Sequence, residues 1–278
     1  MAKFNTMKQT IKTMIIIFCF FFPLLAQGGE NYKAFNRLIK QTDIESFYTV
    51  NELRMLFEDP LLQESEEVLE RFKRKPEKNK TYKEYKNIFL QEKRIKKGLD
   101  FYGEHKNTLK KIMKDFQIDP LIIVAIIGIE TNYGTRFAEH SVFVSLYTQA
   151  SKIPQRRTWA TKEMFELLVY CKEEGIDPFS VEGSYAGAFG FGQFIPSSFN
   201  KLSIDYNQNG KKEPYGWEDV LGSVAHYLVE NGYPPNDYNF SFRSKAWHAI
   251  RTYNRSDHYA NTVIEFRNEL AKQLFLST

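Results

Sequence analysis

Apolar residues recur at helical spacing along most of this chain. A repeat of three or four residues, typical of amphipathic helices, is found in the segments 44–57, 61–72, 95–116, 159–171, 223–229 and 244–253. Strand signals are scarce, and no internal repeat is found. The pattern therefore predicts an all-α protein with one long glycine-rich loop.

One apolar run is unbroken, from Leu121 to Ile129, and it ends in the carboxylate of Glu130. Asp119-Pro120 before the run predicts an N-cap with proline at the first helical position. A bilayer span needs about 20 apolar residues, so this helix is expected in the protein core. Apolar surroundings disfavour a charged carboxylate, as a general acid requires. The run alone leaves open an ordinary helix-end glutamate that reaches solvent or an arginine.

The N-terminal residues have the order of a secretory signal peptide. Three lysines precede an apolar segment over 14–25, and Ala26-Gln27-Gly28 follows it. This order predicts a signal peptide over 1–28, cleavage after Gly28 and a periplasmic protein. The alternative is an uncleaved segment that keeps the protein at the membrane. A lipoprotein is disfavoured because Cys19 lies inside the apolar segment.

Charge and cysteine content narrow the classes of function. Residues 1–28 hold three of the 38 basic side chains and none of the 34 acidic ones, so the exported chain is close to neutral. This balance disfavours nucleic-acid binding. Cys171 is then the only cysteine, so no internal disulfide can form. Roughly 250 residues suffice for a stable core without one.

Four of the fifteen glycines fall between Gly183 and Gly192. Such a loop lets the backbone approach a ligand closely or adopt positive φ. Three aromatic side chains lie between these glycines, and Ser184 and Gln193 add hydrogen-bonding groups. This mixture suits a carbohydrate, whereas the missing phosphate-loop spacing disfavours a nucleotide. A tight crossing of two helices is the structural alternative.

Three motifs together resemble the lytic transglycosylase B family, bacterial enzymes that cleave peptidoglycan. They are Gly-Ile-Glu-Thr-Asn-Tyr-Gly over 128–134, the glycine-rich segment with its Gln-Phe-Ile-Pro-Ser-Ser ending over 183–198, and Tyr-Asn-Arg-Ser over 253–256. The resemblance covers about 82–266. It implies a mainly α, lysozyme-like (goose-type) helical core in which Glu130 is the catalytic residue.

The resemblance also implies which residues bind the glycan. The matching positions are Tyr85, Arg156, Arg157, Ser184, Gln193, Tyr253, Asn254 and Tyr259. The two arginines match a pair that meets the peptide-bearing side of the glycan. From the residues alone, both tyrosines near 255 fit a core role equally well, and the arginines fit a solvated pair.

The expected organisation is an N-terminal helical region over 30–97 and the catalytic core over 98–278. Lys and Glu dominate 71–80, and Pro76 interrupts this stretch, so we expect a solvated connector; a basic contact surface is the alternative. Family members carry a β-rich insert before the Tyr-Asn motif. Only about twenty residues separate Gly232 from Tyr253 here, so that insert is expected to be reduced or absent.

The segment 205–219 resembles a calcium loop. Its candidate ligands are Asp205, Asn207, Asn209, the Lys211 carbonyl and Asp219. Oxygen donors at alternate positions, with glycine at the sixth, fit such a loop. Two asparagines replace charged ligands, which predicts weak affinity, and an Asn/Gly turn without an ion is the alternative.

The expected reaction uses one carboxylate, because the motifs supply no obvious second one. As the resemblance implies, Glu130 protonates the oxygen between MurNAc and GlcNAc and then accepts the proton of the MurNAc 6-hydroxyl. The product is a 1,6-anhydro sugar, and no cofactor is needed. The expected partners are peptidoglycan glycan strands and other cell-wall enzymes. The alternatives are a hydrolytic muramidase and a catalytically inactive peptidoglycan-binding protein of the envelope.

Overall fold

The structure is a computed structural model that describes residues 29–74 and 80–276. The described chain forms thirteen α-helices, three short 3₁₀ helices and one antiparallel pair of two-residue strands, β1 His140–Ser141 and β2 Glu182–Gly183. The helices are α1 Glu30–Gln41, α2 Val50–Glu58, α3 Glu66–Arg74, α4 Tyr82–Phe89, α5 Glu92–Glu104, α6 Lys106–Phe116, α7 Pro120–Glu130, α8 Val142–Lys152, α9 Arg157–Glu174, α10 Pro196–Leu202, α11 Trp217–Glu230, α12 Lys245–Tyr253 and α13 Asp257–Leu276. The predicted signal peptide and residues 75–79 of the predicted connector lie outside the described residues.

Helix α7 forms the centre of the fold, with α5, α6, α11 and α13 packed around it. Every side chain from Leu121 to Ile129 is buried. The predicted cap is confirmed, because Asp119 Oδ1 accepts the Leu121 N–H at 2.9 Å and Pro120 begins the helix. Each large aliphatic side chain buried here contributes about 1.5–3 kcal/mol to folding. The residue that ends α7 therefore stands on a rigid support. None of the helices described has the length and apolarity needed to cross a membrane.

The chain leaves α7 through a left-handed turn. Asn132, Tyr133 and Gly134 have φ values of 49°, 60° and 70°. This turn folds the Tyr133 ring back onto α7. If Gly128 carried a Cβ atom, that atom would lie 2.5 Å from the Tyr133 hydroxyl oxygen. A Cβ atom on Gly98 would lie 2.4 Å from the same oxygen. The glycine that opens the Gly-Ile-Glu motif is thus required for the turn that follows the glutamate.

The segment 44–57 forms two elements where its periodicity predicts one helix. A short 3₁₀ helix, Ile44–Ser46, precedes α2. Thr49 and Glu52 form a capping box at the start of α2, in which each side chain accepts the backbone N–H of the other residue. Such a cap satisfies N–H groups that a helix start leaves unpaired, so it fixes the start of α2.

Two other predicted helices also have different bounds. The segment 95–116 divides into α5 and α6 because His105 leaves helical geometry, at φ −101° and ψ 17°. The His105 ring then packs 4.4 Å from the Phe101 ring. The helix predicted over 61–72 begins later, at Glu66.

The N-terminal helices pack directly on the rest of the fold. Helix α1 lies against α8 and α9, and Arg37 Nη2 donates to the Ala150 carbonyl at 3.2 Å. The predicted boundary between 97 and 98 falls inside α5, and the division into two regions remains a prediction. Residues 231–244, all of them described, join α11 to α12 without a strand.

Candidate active site

Glu130 is the last residue of α7 and lines a surface cavity of about 270 Å³. Its carboxylate is held from the neighbouring helix α13. The Tyr259 hydroxyl donates a hydrogen bond of 2.6 Å to Glu130 Oε1, and Tyr259 itself is 1% exposed. The sequence expectation that Glu130 ends a core helix is confirmed. One oxygen of this carboxylate is thus fixed by a buried donor.

Two parallel tyrosine rings stand beside Glu130. The rings of Tyr253 and Tyr259 have centroids 6.4 Å apart and planes 4° apart. Burial raises the pKa of both hydroxyls well above the ordinary value, and the negative charge of Glu130 raises it further. Both phenols therefore stay protonated and act as donors. The Tyr253 hydroxyl donates to the Gly192 carbonyl at 2.6 Å, which ties the glycine-rich loop to α12.

The glycine-rich loop is a compact hairpin-like turn and is not a crossing of two helices. Gly183 forms a bridge with Phe189, which in turn bridges Phe194. A Cβ atom on Gly183 would lie 2.0 Å from the Ala188 carbonyl oxygen. Ser184 closes the turn, since its N–H donates to the Ala188 carbonyl at 2.8 Å and its Oγ accepts the Ala188 N–H at 3.1 Å. The close backbone approach requires glycine at this position.

Gln193 lies between two cavities and lines both of them. Its backbone is left-handed, at φ 53°, and its side-chain amide donates to the Gly190 carbonyl at 2.9 Å. The second cavity, of about 600 Å³, contains Tyr253. We call the two cavities the groove, and name its parts the Glu130 half and the Tyr253 half. Ser184 lies in the Glu130 half.

Arg156, one of the residues predicted to bind the glycan, lines the Tyr253 half. Its Nε donates to Gln149 Oε1 at 2.6 Å, and its guanidinium carbon is 4.0 Å from the Trp159 ring centroid and 5.1 Å from that of Phe72. Burial lowers the pKa of this arginine, although a guanidinium remains charged. These contacts hold a cation at the groove in one orientation.

Arg157 is directed away from the groove. Its Nε and Nη2 donate to the carbonyls of Ala150 and Ser151, at 3.2 and 3.4 Å, at the end of α8. Gln155, the residue before Arg156, lines the Tyr253 half, whereas Arg157 does not. Of the two arginines singled out in the sequence, the structure brings one to the groove.

Two further expected residues lie beside the groove. Tyr85 is 5% exposed, and its ring is 5.7 Å from that of His258, which precedes Tyr259. Asn254 ends α12 on the exposed surface, and its carbonyl accepts the Ser256 N–H at 2.6 Å. Neither side chain lines the two cavities.

Besides Glu130, four charged residues line the Glu130 half, and no site motif in the sequence marks them. They are Arg71, Arg94, Arg136 and Glu139. Glu139 donates its N–H to the Gly183 carbonyl at 3.1 Å, and its carboxylate lies 3.6 Å from Arg71 Nη2. A strand pairing between β1 and β2 therefore places a second carboxylate at the groove, which no sequence motif shows.

The predicted calcium loop is ordered by hydrogen bonds to its own backbone. Asp205 accepts the N–H groups of Asn209 and Gly210, at 3.0 and 2.7 Å. Asp219, 1% exposed, accepts three N–H groups, from Tyr206, Asn207 and Glu213. The candidate metal ligands of this loop are all oxygen atoms, which suits Ca²⁺. However, the described residues contain no cluster of three or more His, Cys, Asp or Glu side chains that could hold a metal. Amides and backbone carbonyls of the loop, including those of Asn207, Asn209 and Lys211, would have to complete a site.

A family model described as "Transglycosylase SLT domain" matches residues 29–246. This chain therefore belongs to the transglycosylase SLT domain family. It is similar to the membrane-bound lytic murein transglycosylase B of Escherichia coli (strain K12), with 30% identity over 159 residues, which are 57% of this chain and 44% of that protein. The matched part thus spans less than half of that relative. The resemblance to the lytic transglycosylase B family is confirmed.

Solved structures of lytic transglycosylases share this fold. The soluble lytic transglycosylase SltB1 of Pseudomonas aeruginosa has 26% identity and a TM-score of 0.77, over 88% of this chain and 99% of that one. The Escherichia coli lytic transglycosylase Slt35 in complex with calcium has 20% identity and a TM-score of 0.77, over 88% and 93%. SltB3 of Pseudomonas aeruginosa in complex with NAG-anhNAM-pentapeptide has 21% identity and a TM-score of 0.76, over 88% and 80%. The expected mainly α, lysozyme-like fold class is confirmed.

Proposed function

We propose that this protein is a lytic transglycosylase, with Glu130 as its acid and base. The substrate is peptidoglycan, and the cleaved bond is the β-1,4 bond between MurNAc and GlcNAc. The observation that carries the proposal is the position of Glu130, which ends a buried helix, faces the groove and accepts a hydrogen bond from a tyrosine that stays protonated. Family membership supports the same chemistry.

The proposed reaction has two steps that share one carboxyl group. Protonated Glu130 gives its proton to the glycosidic oxygen as the bond from C1 of MurNAc breaks, and GlcNAc leaves with a free 4-hydroxyl. The ionised carboxylate then accepts the proton of the MurNAc 6-hydroxyl as that oxygen bonds to C1. The product is 1,6-anhydro-MurNAc, water is not consumed, and Glu130 recovers its proton.

Tyr259 supports the ionised form of Glu130 between the two steps. A hydrogen bond to a carboxylate favours its charged state, and a donor with a high pKa does not lose its own proton instead. The other contacts we propose for the glycan are Ser184 and Gln193 on the loop, Tyr253 and Arg156 in the Tyr253 half, and Tyr85 and Asn254 at its margins; Arg157, which is bonded to the end of α8, is not among them.

Hydrolysis is the second candidate, because the groove holds a second carboxylate. Most glycosidases use two carboxylates, and Glu139 lines the same half of the groove as Glu130. Glu139 is 57% exposed and close to Arg71. The choice between the two reactions depends on whether Glu139 takes part.

Analysis of the products formed in H₂¹⁸O separates the two reactions. Purified sacculi are digested with the wild-type chain and with the variants Glu130→Gln and Glu139→Gln, and the released muropeptides are measured by mass spectrometry. We expect anhydro-muropeptides without ¹⁸O from the wild type and from Glu139→Gln, and no turnover from Glu130→Gln. Reducing ends that contain ¹⁸O, lost in both variants, would establish a hydrolase instead.

The location and the calcium loop complete the proposal. The related protein of Escherichia coli is named as membrane-bound, and we propose that this chain acts in the periplasm after export. N-terminal sequencing of the mature protein tests this, with Gly29 expected as the first residue. Glycan strands are the proposed partners, together with other cell-wall enzymes.

We propose that calcium stabilises the loop over 205–219, since one structural relative was solved in complex with calcium. The proposed chemistry uses no cofactor.

A further inference from the structure

Arg94 is held at the wall of the Glu130 half without a hydrogen-bond partner for one of its nitrogens. It lies in the first turn of α5, and its Nη1 atom is buried and unpaired. Its guanidinium carbon lies 5.2 Å from the Phe89 ring centroid, so the aromatic face fixes the position of the group. A buried donor without a partner is unfavourable, so the arrangement calls for an acceptor.

Arg136 brings a second positive charge to the same wall. It follows the left-handed turn after α7, and it lines the Glu130 half together with Arg94. Burial and the nearby Arg136 charge both lower the pKa of Arg94. Among the ion pairs of the described residues, none involves Arg94 or Arg136. The second acidic residue of this half, Glu139, is already close to Arg71.

We propose that Arg94 and Arg136 form a carboxylate-binding site that recognises the peptide stem of the glycan. Two neighbouring guanidiniums repel each other, and a carboxylate at their groove face removes the repulsion. A turn of the Arg94 side chain toward that carboxylate also gives the buried Nη1 atom an acceptor. Sugar hydroxyls of peptidoglycan are neutral, whereas its peptide stems carry carboxylates. This inference rests on the proposed function, since it assumes that the groove binds peptidoglycan. The enzyme would then prefer glycan strands whose peptide stems keep their charged carboxylates.

Binding measurements without turnover test the site. The probes are the disaccharide pentapeptide NAG-NAM-pentapeptide, the same compound with its carboxylates converted to primary amides, and a neutral chitooligosaccharide of GlcNAc. The NAG-NAM probe lacks the MurNAc–GlcNAc bond, so the full wild-type chain can be used in calorimetry. We expect amidation to weaken binding to the wild type roughly tenfold, as for the loss of a charge-assisted hydrogen bond.

Arg136→Gln is the decisive variant because Arg136 is exposed and its loss should not disturb folding. It should remove most of the difference between the charged and the amidated probe and leave chitooligosaccharide binding unchanged. Arg94→Gln should act in the same direction, with a melting curve to confirm its fold. Lys93→Gln is the matched control, since it removes an exposed charge from the same turn of α5 outside the groove.

Two results would overturn the site. One is equal binding of the charged and amidated probes by the wild type. The other is an equal effect of Lys93→Gln and Arg136→Gln, which would show only the general charge of the surface. Failure of the proposed function is a separate outcome, because it appears as missing anhydro products in the digestion and does not alter these binding constants.

Discussion

The hydroxyl of Tyr259 lies 2.6 Å from Glu130 Oε1, although the two residues are 129 positions apart in the chain. Glu130 ends the most apolar helix of the fold, and Tyr259 lies in the first turns of α13, which packs on that helix. The contact between α7 and α13 therefore both buries the core and orients the carboxylate. Stability and the candidate chemistry depend on the same interface.

Tyr259→Phe should separate these two roles. The aromatic volume remains, so the melting temperature should change little, while the lost hydrogen bond to a charged group should lower kcat roughly tenfold. The alkaline limb of the pH–rate profile, where Glu130 loses its proton, should move to higher pH, because a donor that favoured the ionised carboxylate is gone. Turnover of sacculi measured from pH 4 to 9 gives both quantities.

Tyr48→Phe is the matched control for this variant. The Tyr48 hydroxyl is also buried and donates a hydrogen bond, to the Leu168 carbonyl at 2.8 Å, but it lies outside the groove. Its loss should leave the pH–rate profile unchanged. Identical profiles for the wild type and Tyr259→Phe would show that the tyrosine only fills space.

The sequence predicted those parts of the site that depend on local chain geometry. The cap at Asp119, the apolar helix to Glu130 and the glycine-rich turn follow from neighbouring residues. Glu139 and Arg136 could not be found in this way, because each is an isolated charge that tertiary packing brings to the groove. Arg156 faces the groove and Arg157 does not, because the 3₁₀ turn Pro154–Arg156 sets the direction of each side chain. Apolar periodicity in the sequence does not predict the orientation of such a short turn.

The same limit explains the differences in helix bounds. Apolar spacing persists through 95–116, yet the chain leaves helical geometry at His105, where three rings meet. The His105 ring lies 4.4 Å from Phe101 and 5.5 Å from Trp217. This aromatic contact involves a residue more than a hundred positions away, so the break was not visible in the local pattern.

Gly183→Ala should damage both the loop and the activity. The new Cβ atom would lie 2.0 Å from the Ala188 carbonyl oxygen, so the backbone must move, and overpacking of this kind costs about 1–3 kcal/mol. Ser184 moves with it, so turnover of sacculi should fall more than stability alone explains. Thermal unfolding and muropeptide release measure the two effects.

Gly103→Ala provides the opposite expectation in the same protein. A Cβ atom at Gly103, in α5, meets no other atom within 4 Å. Alanine favours helix by up to about 1 kcal/mol over glycine, so this variant should be as stable as the wild type or more stable. Equal losses in the two variants would contradict the role assigned to the Gly183 contact.

Arg156 and Arg157 should respond differently to substitution. Arg156→Gln removes a cation from the groove and should lower turnover of peptide-bearing glycan, which initial rates on sacculi would show. Arg157→Gln removes hydrogen bonds to the Ala150 and Ser151 carbonyls. It should cost about 1 kcal/mol of stability and leave the rate nearly unchanged. A larger rate loss in Arg157→Gln than in Arg156→Gln would reverse this assignment.

Cys171 should be inert in the folded protein. It is 1% exposed, and burial raises the pKa of its thiol from 9.0 to about 12. The thiolate is the reactive form, so a thiol reagent at pH 8 should label the chain only after unfolding in denaturant. Between pH 9 and about 12 the folded state keeps a proton that the unfolded chain loses, so this thiol lowers stability as pH rises. Rapid labelling without denaturant would show that this part of α9 opens.

Calcium should stabilise the protein modestly if the loop over 205–219 binds it. Only Asp205 and Asp219 are charged among the proposed side-chain ligands, so the dissociation constant should be about 10⁻⁴–10⁻³ M. At ten times that constant, binding to the native state adds about 1.4 kcal/mol, which raises the melting temperature by a few degrees. Differential scanning calorimetry with and without calcium measures this increment, and magnesium is the control ion because it prefers a smaller octahedral site.

The two aspartates should then differ in a way that separates calcium binding from folding. Asp205→Ala should remove the calcium increment and keep most of the activity, because its two loop hydrogen bonds lie on the exposed surface. Asp219→Ala should lower stability with or without calcium, because three backbone N–H groups, one of them buried and two partly buried, lose their acceptor. If calcium and magnesium leave the wild-type melting curve where it is, the segment is an Asn/Gly turn that the buried carboxylate of Asp219 holds without an ion.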